Sequence, residues 1–272
     1  MLPMGRTFYK MNGSGNDFIM VDAMREPPGE LAEAATVQAL CARGTGIGAD
    51  GIVFLEPSQS ADFRMRYLNS DGSQADLCGN ASLCSSRLAA ELGIVQEGTF
   101  RLETDAGILD ARLLAEGPEV DLQPVTTVQQ NLPLRRESTE RWIGFAVAGV
   151  PHLVVRVEDV STVDIVGRGR PLRSDRSLAQ GANVNFVSSD KEGAWRMRTY
   201  ERGVEGETLA CGTGAVATAI LLVESGEEQS PVRVRSRSGR VLTVRLGRVG
   251  TSWVPSLSGE ARIVYEGRFG EL

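Results

Sequence analysis

Three short motifs occur twice in this 272-residue chain, in the same order and at almost the same separation. Gly48-Ala-Asp-Gly-Ile-Val resembles Gly181-Ala-Asn-Val-Asn-Phe-Val, and Cys78-Gly-Asn-Ala resembles Cys211-Gly-Thr-Gly-Ala, each at an offset of 133 residues. The segment around Asn16 resembles the segment around His152 at an offset of 136 residues. Because these offsets are close to half of the chain length, they predict a protein built from two similar halves.

The hydrophobic pattern predicts many strands and a few helices in both halves. Strand-like runs occur at Asp17–Asp22, Gly51–Glu56, Phe63–Leu68, Thr99–Thr104, Phe145–Val147, His152–Val157, Val184–Val187, Trp195–Tyr200, Val232–Arg235 and Val241–Leu246. Helical periodicity occurs at Glu30–Ala42, Asn80–Leu92 and Gly214–Glu224. We therefore expect an α+β protein with two similar domains, the product of an internal duplication.

Polar, proline-containing segments separate the two halves, from Ala115 to Pro124 and from Gln129 to Glu140. Such composition is typical of a crossover between domains. We expect an N-terminal half made of residues 1–123 and 262–272, which carries Cys78, and a C-terminal half made of residues 124–261, which carries Cys211. The cleft between two domains is the default position for a binding site.

Composition excludes several classes of function. The net charge is −6 and no cluster of Lys or Arg stands out, so we expect no nucleic-acid or membrane partner. No apolar run is long enough for a membrane span or a signal peptide, which predicts a cytoplasmic protein with reduced thiols. The single histidine, His152, excludes a multi-histidine metal site, and only Lys10 and Lys191 could form a Schiff base.

The run Gly46-Ile-Gly-Ala-Asp-Gly51 matches the G-x-G-x-x-G pattern of dinucleotide sites. That reading requires a strand before the motif and a helix after it. Here a predicted helix precedes the motif and a predicted strand follows it. The pattern therefore favours a tight helix-to-strand turn.

Cys78 and Cys211 each precede a glycine and then a predicted helix. A cysteine at a helix N-terminus has its thiolate favoured by the helix dipole, and the same backbone N–H groups can hold a carboxylate. One such cysteine alone would more often be a small buried residue. Two at equivalent places in two half-repeats favour a functional pair. Cys41 and Cys84 lie within predicted helices and are expected to be core thiols; no pair has the C-x-x-C spacing of a zinc or iron–sulfur site.

Two thiols acting on opposite faces of a carbon atom could invert a stereocentre. One, as thiolate, would remove the proton while the other, as thiol, would donate one, and the roles would exchange with direction. Helix N–H groups directed at the adjacent carboxylate would stabilise the carbanion. This chemistry needs neither a metal nor a pyridoxal cofactor, in keeping with the scarcity of His and Lys.

With these motifs in place, the chain resembles the diaminopimelate epimerases, cofactor-independent amino-acid epimerases of lysine biosynthesis, over nearly its whole length. The resemblance is carried by Lys10–Phe18, Gly46–Gly51, Asn69–Ser73, Cys78–Asn80, Pro151-His152, Asn183–Phe186, Tyr200–Gly203 and Glu207–Gly214. It implies two domains that each wrap a mixed, barrel-like β-sheet around a central helix. It also implies a small-molecule substrate, no cofactor and no metal, and often a homodimer.

The resemblance implies a role for each matching residue. Cys78 and Cys211 would be the base and acid that convert LL-2,6-diaminopimelate to the meso form. The backbone N–H groups of four residues would bind the reacting carboxylate: Gly79, Asn80, Gly212 and Thr213. The other substrate contacts would be Asn16, Asn69, Asn183, Glu201 and Arg202. His152 and Glu201 would flank the reacting centre and orient its amine.

Without the resemblance, some of these residues have simpler interpretations. His152 would be a turn residue after Pro151, and Glu201 with Arg202 would be a surface ion pair. The chain also departs from the family pattern at several positions. Asn12 replaces a frequent His, Ser14 replaces a frequent Leu, Ala81-Ser-Leu83 replaces Gly-Ala-Arg, and Val150 replaces an Asn. In the family that Asn helps to hold the non-reacting end of the substrate, so Val150 bears on substrate specificity and not on the type of reaction.

Three rival functions remain open from the sequence. The nearest is a racemase of proline, hydroxyproline or histidine on the same fold, which would not need Arg202 to clamp a distal carboxylate. The second is a non-catalytic amino-acid-binding protein, against which the retention of Cys78 and Cys211 argues. The third is a thiol redox protein, which the lack of C-x-x-C disfavours.

Overall fold

The structure is a computed structural model and describes residues 5–190 and 192–271. Its chain divides into two compact units, Met1–Val120 with Ser258–Leu272 and Asp121–Leu257. The two junctions fall three and four residues before the positions expected from the sequence. The expected crossover is not structureless, because it contains a strand at Gly117–Asp121 whose Val120 is fully buried.

The elements up to the first junction comprise seven strands and two α-helices within the described residues. They are β1 Thr7–Gly13, β2 Asn16–Asp22, α1 Ala34–Cys41, β3 Gly51–Glu56, β4 Phe63–Asn69, α2 Gly79–Glu91, β5 Gly98–Thr104, β6 Gly107–Leu114 and β7 Gly117–Asp121. The elements that follow are β8 Val128–Gln129, β9 Glu140–Ala148, β10 Val150–Val157, α3 Ile165–Arg173, β11 Asn183–Ser189, β12 Trp195–Glu201, β13 Gly206–Thr208, α4 Gly212–Glu224, β14 Val232–Arg235, β15 Val241–Val249 and β16 Ser252–Ser258. The last strand, β17 Arg262–Arg268, returns to the first unit and pairs with β1.

Strand pairing repeats in the two units, which confirms the predicted duplication. In the first unit β1–β2 is antiparallel, β2–β3 parallel, β3–β4 antiparallel, β4–β5 parallel and β5–β6 antiparallel. In the second unit β9–β10, β10–β11, β11–β12, β12–β14 and β14–β15 follow the same alternation. Each parallel pair requires a crossover, and helices α1 and α2 or α3 and α4 supply it. The result is the predicted α+β fold with a mixed sheet in each unit.

Helices α2 and α4 are the central helices of their units. Ten of the 13 residues of each helix are buried, which is the pattern of a helix enclosed on all sides. Helix α2 contacts β1, β2, β3, β4, β6 and β17, and α4 contacts β9, β10, β11, β14 and β15. The predicted wrap of a sheet around a central helix is therefore confirmed for each unit.

A second layer of each unit packs on the other side of its sheet. In the first unit Leu31, Val37 and Leu40 join Ile19 and Ile52 in one buried cluster. In the second unit the corresponding cluster contains residues of β10, β11 and α3: Leu153, Val155, Val184, Phe186, Ile165 and Leu172. Alternate residues of β10 and β11 therefore lie on the opposite side, which is the side of α4. No helix in residues 5–190 and 192–271 is long and apolar enough to cross a membrane.

The predicted helices and strands are largely confirmed, but the first predicted helix is interrupted. The helix expected over Glu30–Ala42 is a 3₁₀ turn at Gly29–Ala32 followed by α1, because Glu33 between them has extended backbone angles. The motif Gly46–Gly51 is the predicted turn between a helix and a strand, with Gly48 at φ +76°. A Cβ at Gly46 would lie 2.1 Å from the carbonyl oxygen of Ala39, so the close backbone approach requires glycine there.

Candidate active site

Each of the two motif cysteines is the residue immediately before a central helix. Cys78 precedes α2 with φ −135° and ψ 114°, and Cys211 precedes α4 with φ −145° and ψ 104°. The backbone carbonyl of Cys78 accepts from the N–H of Ser82 at 2.9 Å, and that of Cys211 accepts from Ala215 at 3.0 Å. Neither thiol caps its helix by a side-chain hydrogen bond. The prediction that a helix begins just after each cysteine is confirmed.

The first turn of each helix carries the residues expected to bind a carboxylate. Gly79 and Asn80 begin α2, and Gly212 and Thr213 begin α4. The N–H groups of a first helical turn have no partner within the helix and carry the positive end of its dipole. The hydroxyl of Thr213 lies 3.7 Å from the sulfur of Cys211. Both helix starts can therefore bind an anion next to a thiol.

Three of the four cysteines are buried, Cys78 is half-buried, and none is in a disulfide. Cys41 and Cys84 are almost fully buried, as predicted for core thiols. Burial raises the pKa of Cys41 to about 11 and raises the pKa of Cys84 further. Cys78 is half-buried and Cys211 is 8% exposed. Reactive thiols need access as well as a stabilised thiolate, so Cys78 is the more accessible candidate. Cys211 is a candidate because of its position immediately before α4.

Asn16 is held between the start of α2 and an aspartate. Its Oδ1 accepts from Nδ2 of Asn80 at 2.7 Å, and its Nδ2 donates to Oδ2 of Asp50 at 3.0 Å. Asn80 is buried, and among the described residues its Oδ1 has no hydrogen-bond partner. Asn16 and Asn80, both predicted site residues, are therefore brought together, with a buried amide oxygen still able to accept.

An ion cluster behind Asn16 fixes Asp50. Arg43 donates to Oδ1 of Asp50 at 2.8 Å and to Oδ1 of Asp17 at 2.6 Å. Lys10 donates to Asp17 at 2.6 Å and also to the carbonyl of Gly48. Although burial raises the pKa of Asp17, hydrogen bonds from Arg43 and Lys10 lower it below its usual value. Lys10 is thus engaged in structure, and Lys191 lies outside the described residues.

Asn69 lies at the end of β4, at the start of a tight loop. Its backbone N–H donates to the carbonyl of Ser73 at 2.8 Å, and its Nδ2 donates to the Ser73 hydroxyl at 3.0 Å. In the β3–β4 ladder it lies opposite Gly51. The structure therefore places Asn69 beside Gly51, the last residue of the helix-to-strand turn, with its side chain bonded to the loop at Ser73.

His152 lies on β10, fully buried, and its Nδ1 is 3.1 Å from Nδ2 of Asn185. Burial, with the positive charge of Arg202 as a smaller cause, lowers the pKa of His152 to about 3. The imidazole is therefore neutral at physiological pH. Its backbone lies opposite Asn183 in the β10–β11 ladder, so the two predicted site residues are neighbours in one sheet.

Asn183 holds the loop that carries Arg202. The Oδ1 of Asn183 accepts from the backbone N–H of Arg202 at 2.8 Å. The Arg202 guanidinium donates to the carbonyl of Gln180 at 2.8 Å, which leaves further N–H groups of its planar fork for a ligand. Glu201 ends β12 and is half-buried. Val150, which replaces an expected polar residue, is half-buried opposite Ala148.

Sequence reasoning assigned no role to Asn185 or Asp50, although both contact predicted site residues. Asn185 lies two positions after Asn183 and therefore on the same face of β11. The sequence signal for Asn185 was a polar residue between Val184 and Phe186 in a buried strand. Because a buried amide requires hydrogen-bond partners, such a residue indicates a polar contact inside the fold. Among the described residues, no group of three or more His, Cys, Asp or Glu side chains could hold a metal ion.

Comparison with known proteins gives one consistent result. The family model for diaminopimelate epimerase matches two stretches, residues 8–128 and 145–264, which together cover most of the chain. The chain is 46% identical to the diaminopimelate epimerase of Gemmatimonas aurantiaca, over 98% of this chain and 100% of that protein. It is 40% identical to the diaminopimelate epimerase of Aquifex aeolicus, over 97% of this chain and 98% of that protein.

Among solved structures, the fold is similar to a phenazine biosynthesis protein of the PhzF family from Bacillus anthracis. The TM-score is 0.76 with 16% identity, and the similarity covers 98% of this chain and 99% of that chain. At that identity the similarity concerns the fold alone. The full-length relatives and the family model show that the chain is an isomerase and belongs to the diaminopimelate epimerase family.

Proposed function

We propose that this protein converts LL-2,6-diaminopimelate to meso-diaminopimelate by two-base proton transfer between Cys78 and Cys211. The observation that carries the proposal is the equivalence of the two cysteines, each placed before the central helix of a duplicated unit. Family membership supplies the substrate. The mechanism requires the two thiols to reach opposite faces of the same α-carbon.

The proton transfers balance without a cofactor. The thiolate of one cysteine removes the α-proton, so the C–H bond breaks and its electron pair delocalises into the adjacent carboxylate. The thiol of the other cysteine donates its proton to the opposite face, and a new C–H bond forms with inverted configuration. One thiol and one thiolate remain with their roles exchanged, so the reverse reaction uses the same groups.

Stabilisation of the carbanion is assigned to the two helix starts. N–H groups of Gly79 and Asn80 in α2, and of Gly212 and Thr213 in α4, would bind the carboxylate that gains charge. A preorganised donor of this kind contributes about 2.7–4 kcal/mol to transition-state stabilisation. The buried position of Gly79, Asn80 and Gly212 favours the effect, because the local dielectric is low.

The remaining site residues would hold the rest of the substrate. Arg202 would clamp the distal carboxylate by its planar fork. Asn69 and Asn183 would contact the same end, and Asn16 would contact the substrate from the side of α2. Glu201 would accept from the ammonium group at the reacting centre, next to His152.

We also propose that the protein acts in the cytoplasm, in lysine biosynthesis, as a homodimer. All three statements rest on family membership. Size-exclusion chromatography with light scattering tests whether the protein is a homodimer. A dimer near twice 29.2 kDa is expected; a monomer at micromolar concentration would contradict it.

Separation of diaminopimelate stereoisomers tests the activity itself. Purified protein in reductant, with a chelator and no added cofactor, should convert LL-diaminopimelate to a mixture with the meso form. Cys78→Ser and Cys211→Ser should each lower the rate about 10²–10⁴-fold, whereas Cys41→Ala in the core should leave it nearly unchanged. No conversion by folded, reduced protein would contradict the proposal, and L-proline and L-hydroxyproline would then test the racemase rival.

A further inference from the structure

The side chain of His152 has one hydrogen-bonding atom that is engaged and one that is not. Nδ1 lies 3.1 Å from Nδ2 of Asn185, whereas Nε2 is buried and has no hydrogen-bond partner within residues 5–190 and 192–271. His152 itself is 0% exposed. A buried polar atom left without a protein partner usually serves a ligand or a reacting group.

The orientation of the Asn185 amide decides where the proton of His152 lies. Nδ2 of Asn185 also lies 3.0 Å from the carbonyl oxygen of Leu153. A carbonyl oxygen can only accept, so the atom of Asn185 that faces it must be the NH₂ group. The same NH₂ group faces Nδ1 of His152. Nδ1 therefore accepts, and the proton of the neutral imidazole is on Nε2.

Further contacts keep the Asn185 amide from rotating. Its Oδ1 accepts from the hydroxyl of Thr199 at 2.9 Å, and the two residues are directly opposed in the β11–β12 ladder. Both residues are buried, at 0% and 2% exposure. A flipped amide would place its oxygen against the Leu153 carbonyl and lose a buried hydrogen bond, which costs more than an exposed one.

The Asn185 side chain, which orients His152, lies next to the start of α4. A methyl group built on Gly214 would lie 2.3 Å from Oδ1 of Asn185 and 3.1 Å from the sulfur of Cys211. Glycine at this position therefore lets the Asn185 amide and the Cys211 thiol lie against the same point of α4. The orientation of His152 is thus set beside one of the two proposed acid–base groups.

We propose that Asn185 is a positioning residue that holds His152 as a neutral hydrogen-bond donor, with Nε2–H available to an anionic acceptor at the reacting centre. The proposal rests on the proposed function for the identity of that acceptor, which is either a substrate carboxylate or the Cys211 thiolate. It also changes the role expected from the family resemblance. With Nδ1 occupied and Nε2 protonated, His152 has no lone pair to accept from an ammonium group, so orientation of the amine falls to Glu201.

Nitrogen-15 NMR of the imidazole tests the proposal, because His152 is the only histidine in the chain. Protein labelled with ¹⁵N-histidine and free of substrate should show one neutral Nε2–H tautomer, unchanged from pH 5 to pH 9. An Nδ1–H tautomer, an equal mixture of tautomers, or titration near pH 6.5 would overturn the proposal. This readout does not depend on turnover, so it stands apart from failure of the proposed activity.

Variants test whether Asn185 is the cause. In Asn185→Asp the carboxylate can only accept from Nδ1, so the spectrum should change to the Nδ1–H tautomer or to imidazolium, and kcat/KM should fall at least tenfold. An unchanged Nε2–H tautomer in this variant would contradict the proposal. Thr199→Val is a milder second variant that removes the partner of Asn185 Oδ1, and it should shift the His152 signals.

Thr218→Val is the matched control. Thr218 is a fully buried threonine of α4 whose hydroxyl contacts the sulfur of Met197 at 3.5 Å. This variant loses a similar hydroxyl from the same unit, so the His152 signals should not move. If Thr218→Val shifts them as much as Thr199→Val does, the coupling is general packing and the positioning role is wrong.

Two further samples identify the acceptor. Addition of diaminopimelate to the wild-type protein should move the Nε2–H signal if a substrate carboxylate is the acceptor. Cys211→Ser without substrate should move it if the thiolate is the acceptor. A signal that moves in neither sample would overturn the assignment of an anionic acceptor.

Discussion

The side-chain amide of Asn80 donates a 2.7 Å hydrogen bond to Oδ1 of Asn16, and this bond ties the first turn of α2 to the first residue of β2. Asn16 is in turn oriented by Asp50, to which its Nδ2 donates at 3.0 Å. The order of donors and acceptors along Asp50, Asn16 and Asn80 is therefore fixed by a carboxylate. Because Asn80 follows Cys78 by two residues, this series of bonds sets the local geometry of a proposed catalytic helix start.

Asn16→Asp should disrupt that order. A carboxylate oxygen would replace the donor that now lies 3.0 Å from Oδ2 of Asp50, so two negative oxygens would face each other. We expect a loss of about 1–3 kcal/mol in the free energy of unfolding, and a lower kcat/KM, measured by urea denaturation and by the epimerisation assay.

Asn12→Asp is the control for this prediction. Oδ1 of Asn12 accepts from the backbone N–H of Gly15 at 3.1 Å, and a carboxylate preserves that acceptor. If both variants lost the same stability and activity, the effect would come from added negative charge in the β1–β2 hairpin and not from the contact with Asp50.

Alkylation should distinguish the four thiols. At pH 8 iodoacetamide should modify the half-buried Cys78 first and Cys211 more slowly, and substrate should protect both. Cys41 and Cys84 should stay unmodified because burial raises the pKa of each thiol. Peptide mass spectrometry measures the four rates, and unfolding in urea should make all four similar. Modification of Cys84 at the rate of Cys78 in folded protein would contradict the structure.

The buried, neutral His152 should make stability fall in acid. Its pKa is about 6.5 in the unfolded chain and about 3 in the folded protein, lowered by burial and by Arg202. Between pH 6.5 and pH 3 His152 is protonated in the unfolded chain and neutral in the folded protein. The contribution of neutral His152 to the free energy of unfolding is therefore complete above pH 6.5, and it falls by about 1.4 kcal/mol for each pH unit below that value.

His152→Gln removes this dependence and leaves the other titrating groups in place. Between pH 7 and pH 4.5 the wild-type free energy of unfolding should fall by about 2.5 kcal/mol more than that of the variant. Urea denaturation at the two pH values measures the difference. Equal losses in both proteins would show that His152 is protonated in the folded state.

Arg202→Ala should separate the proposed substrate from its nearest rival. A charged hydrogen bond contributes about 1.5–3 kcal/mol, so kcat/KM for diaminopimelate should fall about 10- to 100-fold, mostly through KM. Arg87→Ala is the control, since Arg87 is exposed and forms a surface i,i+4 pair with Glu91; it should have no effect. Full activity of Arg202→Ala on diaminopimelate would exclude a role for Arg202 in clamping the distal carboxylate.

The sequence predicted the duplicated α+β fold because the repeated motifs survive at one offset, but it missed features that only packing determines. Leu31 and Val37 would lie about 120° apart around one continuous helix, yet both enter the same core cluster. The break at Glu33 makes this possible, and local periodicity does not reveal it. Helix α3 escaped prediction because it contains Pro171 and two glycines. Gly169 is required because a Cβ there would lie 2.6 Å from Cβ of Tyr200.

For the site, short motifs predicted the positions of the cysteines and of the residues that follow them. They did not predict which polar residues orient others. Asn185 in β11 contacts His152, and Asp50, the residue before β3, contacts Asn16, across 33 and 34 positions of sequence. Such contacts depend on strand pairing, which single-sequence patterns do not specify.

The most direct test of the two-cysteine mechanism is proton NMR of LL-diaminopimelate turnover in D₂O at early times. We expect the meso product to carry deuterium at the inverted carbon while the remaining LL substrate keeps its α-proton, because one thiol removes the proton and the other delivers solvent deuterium. Deuterium that enters recovered LL substrate as fast as it enters meso product would mean that one base acts on both faces, and would contradict the mechanism.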